Sequence, residues 1–104
     1  MVVNLNVPVT TPGALITTST GKQYAIKVVT FTNTTNASKV INVYTSVNTT
    51  FNSVNLISIN VTIKPYDSFE YNETRILDSG NSIGAVLQSG SSGDVVCEIN
   101  YMSL

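Results

Sequence analysis

Hydrophobic and polar residues alternate with a period of two along most of this chain. The pattern is clearest in the segment LISINVTIK, where isoleucine or valine occupies every second position from Ile57 to Ile63. The positions between them, beginning with Ser58, are polar. Such alternation is typical of a β-strand that has one face on a core and the other toward polar surroundings. It predicts a strand over residues 55–64.

Similar apolar rows recur near both ends of the chain and in its first half. The rows at the two ends are Val3, Leu5, Val7 and Val9, and Val95, Cys97, Ile99 and Tyr101. In the segment YAIKVVTFTN the predicted core row is Ala25, Val29 and Phe31, whereas Ile26 and Val28 fall on the other face. Because both faces carry apolar residues, this strand, at about residues 23–33, is predicted to be covered on both sides.

Turn-forming residues separate these segments at the spacing of an antiparallel all-β domain. Pro12-Gly13 is predicted to end the first strand, and further turns are predicted at residues 64–67 and 78–81. Helix is not indicated, because β-branched residues and asparagine are weak helix formers and no window shows a clear period of 3.6. We therefore predict one domain over residues 1–104, an all-β antiparallel β-sandwich or jelly roll of about eight short strands.

The composition adds an unusual surface to this picture. Charged residues make up 11% of the chain, the formal net charge is −1, and Asn, Ser and Thr together supply 38 of the 104 positions. A neutral surface with few charges favours association, so we expect neighbours in a homo-oligomer or larger assembly to cover much of it. The alternative is a well-hydrated neutral monomer.

The same composition argues against several classes of partner. The five basic residues are scattered, so no stripe follows a phosphate backbone, and we expect no direct nucleic-acid binding. No apolar run approaches the roughly 18 residues of a membrane span. The N-terminus lacks a basic region and an uninterrupted apolar region, so no signal peptide is expected.

The stretch GNSIG, residues 80–84, has the G-x-S-x-G pattern of the nucleophile elbow in lipases and esterases. An esterase serine needs a general base, ordinarily histidine, and the chain has no histidine. The elbow also needs a helix directly after the serine. We therefore interpret Gly80 and Asn81 as a turn and Ser82 as the opening of a strand, and we expect no enzymatic activity and no catalytic residue.

Cofactor, metal and modification sites are not predicted. The single cysteine, Cys97, lies in an alternating strand pattern and is expected to be a small buried hydrophobe. The carboxylates show no acid/base spacing, and we interpret them as solvated strand or turn residues. Five N-x-S/T sequons are only a mild excess over what the Ser and Thr content gives by chance, so they are read as composition.

Aromatic residues are the better candidates for partner contact. Phe51 lies in a polar loop and Tyr66 in a proline turn, where contact with a partner and local loop packing are both open. Tyr24 and Tyr44 lie on predicted strands, where packing in the core or between sheets is the favoured role and partner contact the alternative.

The order of the segments resembles a group of small virion proteins of tailed bacteriophages. In those proteins a turn like P-A-G-K leads into an apolar strand ending T-x-T-N, and a later turn like P-G-E-S is followed by a segment like L-x-x-G-D-x-I. The corresponding pieces here are Ser19 to Lys22, Thr30 to Asn33, Pro65 to Ser68, and Leu77 to Ile83. Ser19-Thr20 replaces Pro-Ala, and Tyr66-Asp67 replaces Gly-Glu.

This resemblance covers roughly residues 15–102 and implies a β-sandwich structural component of the phage particle. The expected role is a capsid decoration or cement protein that binds the major capsid protein and copies of itself in the virion. The alternative is a tail- or fibre-associated module that binds a host receptor or glycan through the loops of Phe51 and Tyr66. The resemblance implies no catalytic residue.

Overall fold

The computed structural model describes residues 2–9, 13–47, 56–88, 90–91 and 93–104. Within these ranges every regular element is a β-strand, and nine strands form two antiparallel sheets of a β-sandwich. The predicted all-β class is confirmed. The strands are β1 (Val2–Pro8), β2 (Gly13–Thr17), β3 (Tyr24–Asn33), β4 (Lys39–Val47), β5 (Leu56–Ile63), β6 (Ser68–Tyr71), β7 (Arg75–Leu77), β8 (Asn81–Leu87) and β9 (Val95–Ser103).

The strand order is that of a jelly roll. The five-stranded sheet has the order β1-β9-β3-β6, with β7 also paired to β3, and the four-stranded sheet has the order β2-β8-β4-β5. β6 and β7 lie one after the other along the same edge of β3 and together take the place of one strand. With these two counted as one, the chain forms the eight strands of a jelly roll, divided between two facing sheets.

The core lies between the two sheets and uses alternate residues of each strand. Val95, Cys97 and Ile99 of β9 are fully buried, as the period-two pattern predicts, and Tyr101 packs against the same core. Burial raises the pKa of the Cys97 thiol to about 12, and the charge of Glu98 adds to this shift. Cys97 is therefore the buried hydrophobe that the sequence predicts.

A β-bulge changes which residues of β3 face the core. The pairing of β3 with β9 shifts by one residue between Ile26 and Val28, and such a shift exchanges the two faces of a strand. Ile26 consequently joins Val29 in the core, so its predicted position on the opposite face is wrong. Ala25, predicted in the core row, lies instead on the outer face of the sheet, although it is only 3% exposed.

One predicted boundary differs from the structure, and one strand was not predicted. Gly13, predicted to end the first strand, is the first residue of β2. The strand β7 was not predicted, because three residues are too short to show a period. Its Leu77 is buried in the core, whereas Ile76 is exposed on the outer face.

Candidate functional site

Tyr66 is the most exposed large hydrophobic residue in the described part of the chain, with 71% of its surface accessible. It lies in the turn Lys64-Pro65-Tyr66-Asp67, which is closed by a hydrogen bond from the Asp67 N–H to the Lys64 carbonyl, 3.1 Å. Pro65 suits the first central position of this turn, and Tyr66 occupies the second with a φ of +58°. That left-handed conformation usually selects glycine or asparagine. The turn thus presents a tyrosine where a smaller residue is the ordinary choice.

Asn33, at the end of β3, holds the base of this turn. Its side chain is fully buried, and its Nδ2 donates to the Ile63 carbonyl at 3.0 Å and to the Lys64 carbonyl at 3.2 Å. The backbone N–H of Asn33 donates to the Asp67 carbonyl at 2.9 Å. Because these bonds hold both ends of the turn, Tyr66 projects from a fixed support. Burial also prevents the Asn33 sequon from accepting a glycan in the folded chain.

A salt bridge lies at the same end of the sandwich. Lys39 Nζ is 3.3 Å from Asp94 Oδ2, which also accepts the Ser91 N–H at 2.8 Å. The Ser91 N–H and the Lys39 ammonium hold the pKa of Asp94 below its usual value of 3.8. The backbone N–H of Thr34 donates to the Asp94 carbonyl at 2.9 Å. This hydrogen bond connects the loop after β3 to the loop before β9.

Tyr24 has the packing role that the sequence favours. It is half-buried against the core, and its ring centroid lies 4.9 Å from that of Tyr101, with 42° between the ring planes. Its hydroxyl lies 3.2 Å from Ser19 Oγ. Tyr24 therefore stabilises the end of the sandwich opposite Tyr66 and is a weak candidate for partner contact.

Tyr44 faces outward, so its favoured role in core packing is wrong. The pairing of β4 with β8 is unbroken, and Ile41 and Val43 are fully buried. Tyr44 therefore points away from the core, half-buried beside Gly84 on the outer face of the four-stranded sheet. Phe51 lies outside the described residues. The structure does not bring Tyr24, Tyr44 and Tyr66 together into one site.

An apolar surface that the sequence reasoning missed lies on the outer face of the five-stranded sheet. The strand pairing places Ala25 between Ile76 of β7 and Met102 of β9, and Val28 lies further along β3 on the same face. Leu104 continues the outward alternation of Met102. Ile76 is 54% and Leu104 60% exposed, and Val28 and Met102 are half-buried. We call these four residues, Val28, Ile76, Met102 and Leu104, the outer apolar patch.

Three of the carboxylates have local structural partners. Asp67 Oδ1 accepts the Ser68 N–H at 2.8 Å, and Asp78 Oδ1 accepts from Gln23 Nε2 at 2.7 Å at the other end of the sandwich. Glu73 accepts from the Tyr71 hydroxyl at 3.3 Å. Among the described residues no three of His, Cys, Asp and Glu are grouped so that they can hold a metal ion.

The GNSIG stretch is not a nucleophile elbow. Gly80 has a φ of +81° in the turn before β8, as interpreted from the sequence. The strand Asn81–Leu87 follows where an elbow has a helix, and Ser82 is fully buried in it. The pattern therefore marks the entry to a strand.

No helix in the described ranges is long and apolar enough to cross a membrane. No protein-family model matches the sequence, and no curated protein matches it.

Proposed function

We propose that this protein is a non-enzymatic structural component of a bacteriophage particle, a capsid decoration or cement protein. In this role it binds the major capsid protein and copies of itself and stabilises the assembled shell. The resemblance to small virion proteins gives the biological setting of this proposal. The outer apolar patch is the observation that carries its interaction role.

We expect a partner protein to bind the outer apolar patch, because the patch leaves hydrophobic side chains exposed to water on a folded sheet. Ile76 and Leu104 are both more than half exposed, and Met102 lies across Ala25 from Ile76 and two residues before Leu104. Contiguous apolar surface of this kind marks protein interfaces more often than free surface.

The chain has 11 charged residues in all, five basic and six acidic. Two of them, Glu70 and Glu98, flank Thr30 on the same outer face, further along β3 than Val28. A partner that covers the patch is therefore expected to leave these carboxylates in water or to pair them.

The stabilising mechanism is mass action. A protein that binds the assembled lattice better than its free subunits shifts the equilibrium toward the lattice, by roughly 2.7 kcal/mol per site at a hundredfold excess over the dissociation constant. No chemical step is required. The jelly-roll fold suits this role, because it also builds viral capsid proteins, but it builds lectins as well, so this support is an analogy of fold only.

Cosedimentation with capsids of the same phage tests the proposal. We expect the wild-type chain to bind DNA-filled or expanded capsids, and Ile76→Lys to lose at least tenfold in affinity, because it places a charge in the patch. Thr62→Lys, at an exposed position of β5, is the matched control and should bind like the wild type. Failure of the wild type to bind either capsid form, or equal binding by both variants, would contradict the proposal.

The second candidate is a tail- or fibre-associated module that binds a host receptor or glycan. The observation that favours it is the exposed Tyr66, held in a left-handed conformation on a rigid turn. Strained, exposed residues on supported loops are enriched at ligand contacts, and tyrosine offers a flat face for a sugar ring. A glycan array with the wild type and the Phe51→Ala/Tyr66→Ala variant tests this candidate. A signal that survives the double substitution, or no signal at all, counts against it.

A further inference from the structure

The two sheets have four outer edges, and irregularities interrupt three of them. The β6/β7 edge breaks at residues 72–74 and carries Glu70 and Arg75. The β2 edge is five residues long and has a register shift between Ala14 and Ile16. Bulges, charges and short strands are the features by which natural proteins prevent a free edge from pairing with another chain.

The β5 edge is interrupted as well. Its pairing with β4 shifts twice, between Ile41 and Val43 and between Val43 and Tyr44. Asn60, within β5, has a φ of +49°, which departs from the extended conformation that a straight ladder needs. A strand of another chain cannot pair regularly along an edge that bends in this way.

The β1 edge lacks all of these features. Its seven residues pair with β9 from Val2↔Met102 to Pro8↔Val96 without a register shift. The strand sequence VVNLNVP contains no charged residue, and its only proline is the last residue. Within the described chain β1 has one neighbour, β9, so the backbone groups of alternate residues face its other side, and this row lacks a donor only at Pro8.

We propose that β1 pairs with β1 of a second copy of this chain, antiparallel and about a two-fold axis. The partner is a second β1 because the other three edges of the same chain are interrupted, so β1 cannot add to them in regular register. A contact that uses the same strand on both copies is isologous and closes at a dimer. Pairing of β1 with a different edge would instead be head-to-tail and would give larger rings or filaments.

The sequence of β1 is compatible with this symmetric pairing. With the axis at Leu5, the middle residue, Leu5 lies opposite Leu5 of the second copy, Val3 opposite Val7, and Asn4 opposite Asn6. Apolar residues thus meet apolar residues, amides meet amides, and no like charges are opposed. The paired five-stranded sheets of the two copies then form one continuous sheet across the interface.

This inference rests on one part of the proposed function, the binding of the chain to copies of itself, and it locates that contact at β1. It does not depend on the other part, the binding to a capsid. Sedimentation equilibrium of the purified chain across a range of concentrations is the test. We expect a monomer–dimer equilibrium that Asn4→Lys/Asn6→Lys weakens on the order of tenfold or more, since each lysine then faces a lysine of the second copy. Thr17→Lys/Thr62→Lys adds the same charge at exposed positions of β2 and β5 and should dimerise like the wild type.

A cross-linking variant provides a test that does not fail if the lysine substitutions destabilise the fold. Asn4→Cys/Asn6→Cys, in a Cys97→Ala background, should form intermolecular disulfides between positions 4 and 6 on mild oxidation. Each of three results would overturn the inference: a wild type that stays monomeric, assemblies that grow beyond the dimer, or a dimer that only Thr17→Lys/Thr62→Lys disrupts. A dimer that fails to bind capsids would refute the capsid role and leave the β1 interface standing.

Discussion

The side-chain amide of Asn33, in the five-stranded sheet, donates a 3.0 Å hydrogen bond to the backbone carbonyl of Ile63, in the four-stranded sheet. The same amide donates to the Ala37 carbonyl at 2.7 Å, and its Oδ1 accepts the Thr35 N–H at 2.9 Å. One buried side chain therefore joins both sheets and the loop after β3. A polar group that is fully buried stabilises a fold only while its partners are in place.

Removing this amide should be costly. We expect Asn33→Ala to lower the free energy of unfolding by about 2–4 kcal/mol, because the buried carbonyl of Ile63 and three partly buried backbone groups lose their partner. Urea unfolding followed by circular dichroism measures this loss. Asn36→Ala, at an exposed position of the neighbouring loop, should change stability by less than about 0.5 kcal/mol. Equal effects of the two substitutions would show that Asn33 does not hold the sheets together.

Tyr66 should limit stability through its backbone. Its φ of +58° is strained for a residue with a Cβ atom, and its exposed side chain gains little from packing. We expect Tyr66→Gly to raise the free energy of unfolding by about 0.5–1 kcal/mol, whereas Tyr66→Ala, which keeps the Cβ atom, should leave it nearly unchanged. The comparison uses chemical unfolding of the three proteins side by side. A glycine variant less stable than the alanine variant would refute the strain.

The alternation of residues was sufficient to predict the fold class but not every face. β9 contains no extra residue and pairs with β1 without a shift, so the inward positions of Val95, Cys97 and Ile99 follow directly from the period of two. In β3 the bulge between Ile26 and Val28 shifts the period, and nothing in the local sequence YAIKVV marks its position. The shift depends on the pairing with β9, about seventy residues away in the chain, which a local pattern does not contain.

The interaction surfaces were also predicted only in part, because a local pattern does not show which distant strands pair. The sequence indicated Tyr66 as a turn residue, because Pro65 favours the first central position of a turn. The outer apolar patch could not be found, since Val28, Ile76 and Met102 are adjacent only through pairings across β3. Tyr44 was assigned to packing in the core or between sheets. Its neighbours Ile41 and Val43 fix the inward face of β4. The period of two, applied to β4, would therefore have placed Tyr44 on the outward face.

Gly90 should resist substitution more strongly than Gly21, another glycine with a positive φ. A Cβ atom at Gly90 would lie 2.6 Å from Asp94 Oδ2 and 2.9 Å from Lys39 Nζ, and its φ is +120°. Gly21 has a φ of +79° with open space around it, so Gly21→Ala measures the backbone cost alone. We expect Gly90→Ala to lower the thermal midpoint further than Gly21→Ala, because it also displaces the salt bridge. Equal midpoints would show that the pair moves aside freely.

Asp94 should make the stability of the protein depend on pH in the acid range. Its folded pKa is lowered, first by the Ser91 N–H and then by Lys39, so its contribution is fully present above the usual value of 3.8. That contribution is lost as the pH falls below 3.8 and through the lower folded pKa, where the carboxylate becomes protonated in both states. Urea midpoints measured from pH 6 to about pH 2 should therefore fall more steeply for the wild type than for Asp94→Asn, and the two curves should converge at the acid end.

A third protein separates the two causes of the lowered Asp94 pKa, the Ser91 N–H and the Lys39 ammonium. Lys39→Met removes the salt bridge but leaves the Ser91 N–H donating to Asp94. Because this backbone donor is the larger cause, the Lys39→Met variant should keep most of the acid dependence and lie closer to the wild type than to Asp94→Asn. A Lys39→Met curve as flat as that of Asp94→Asn would assign the lowered pKa to the ammonium instead, and the Ser91 contact would then be a consequence of the loop conformation.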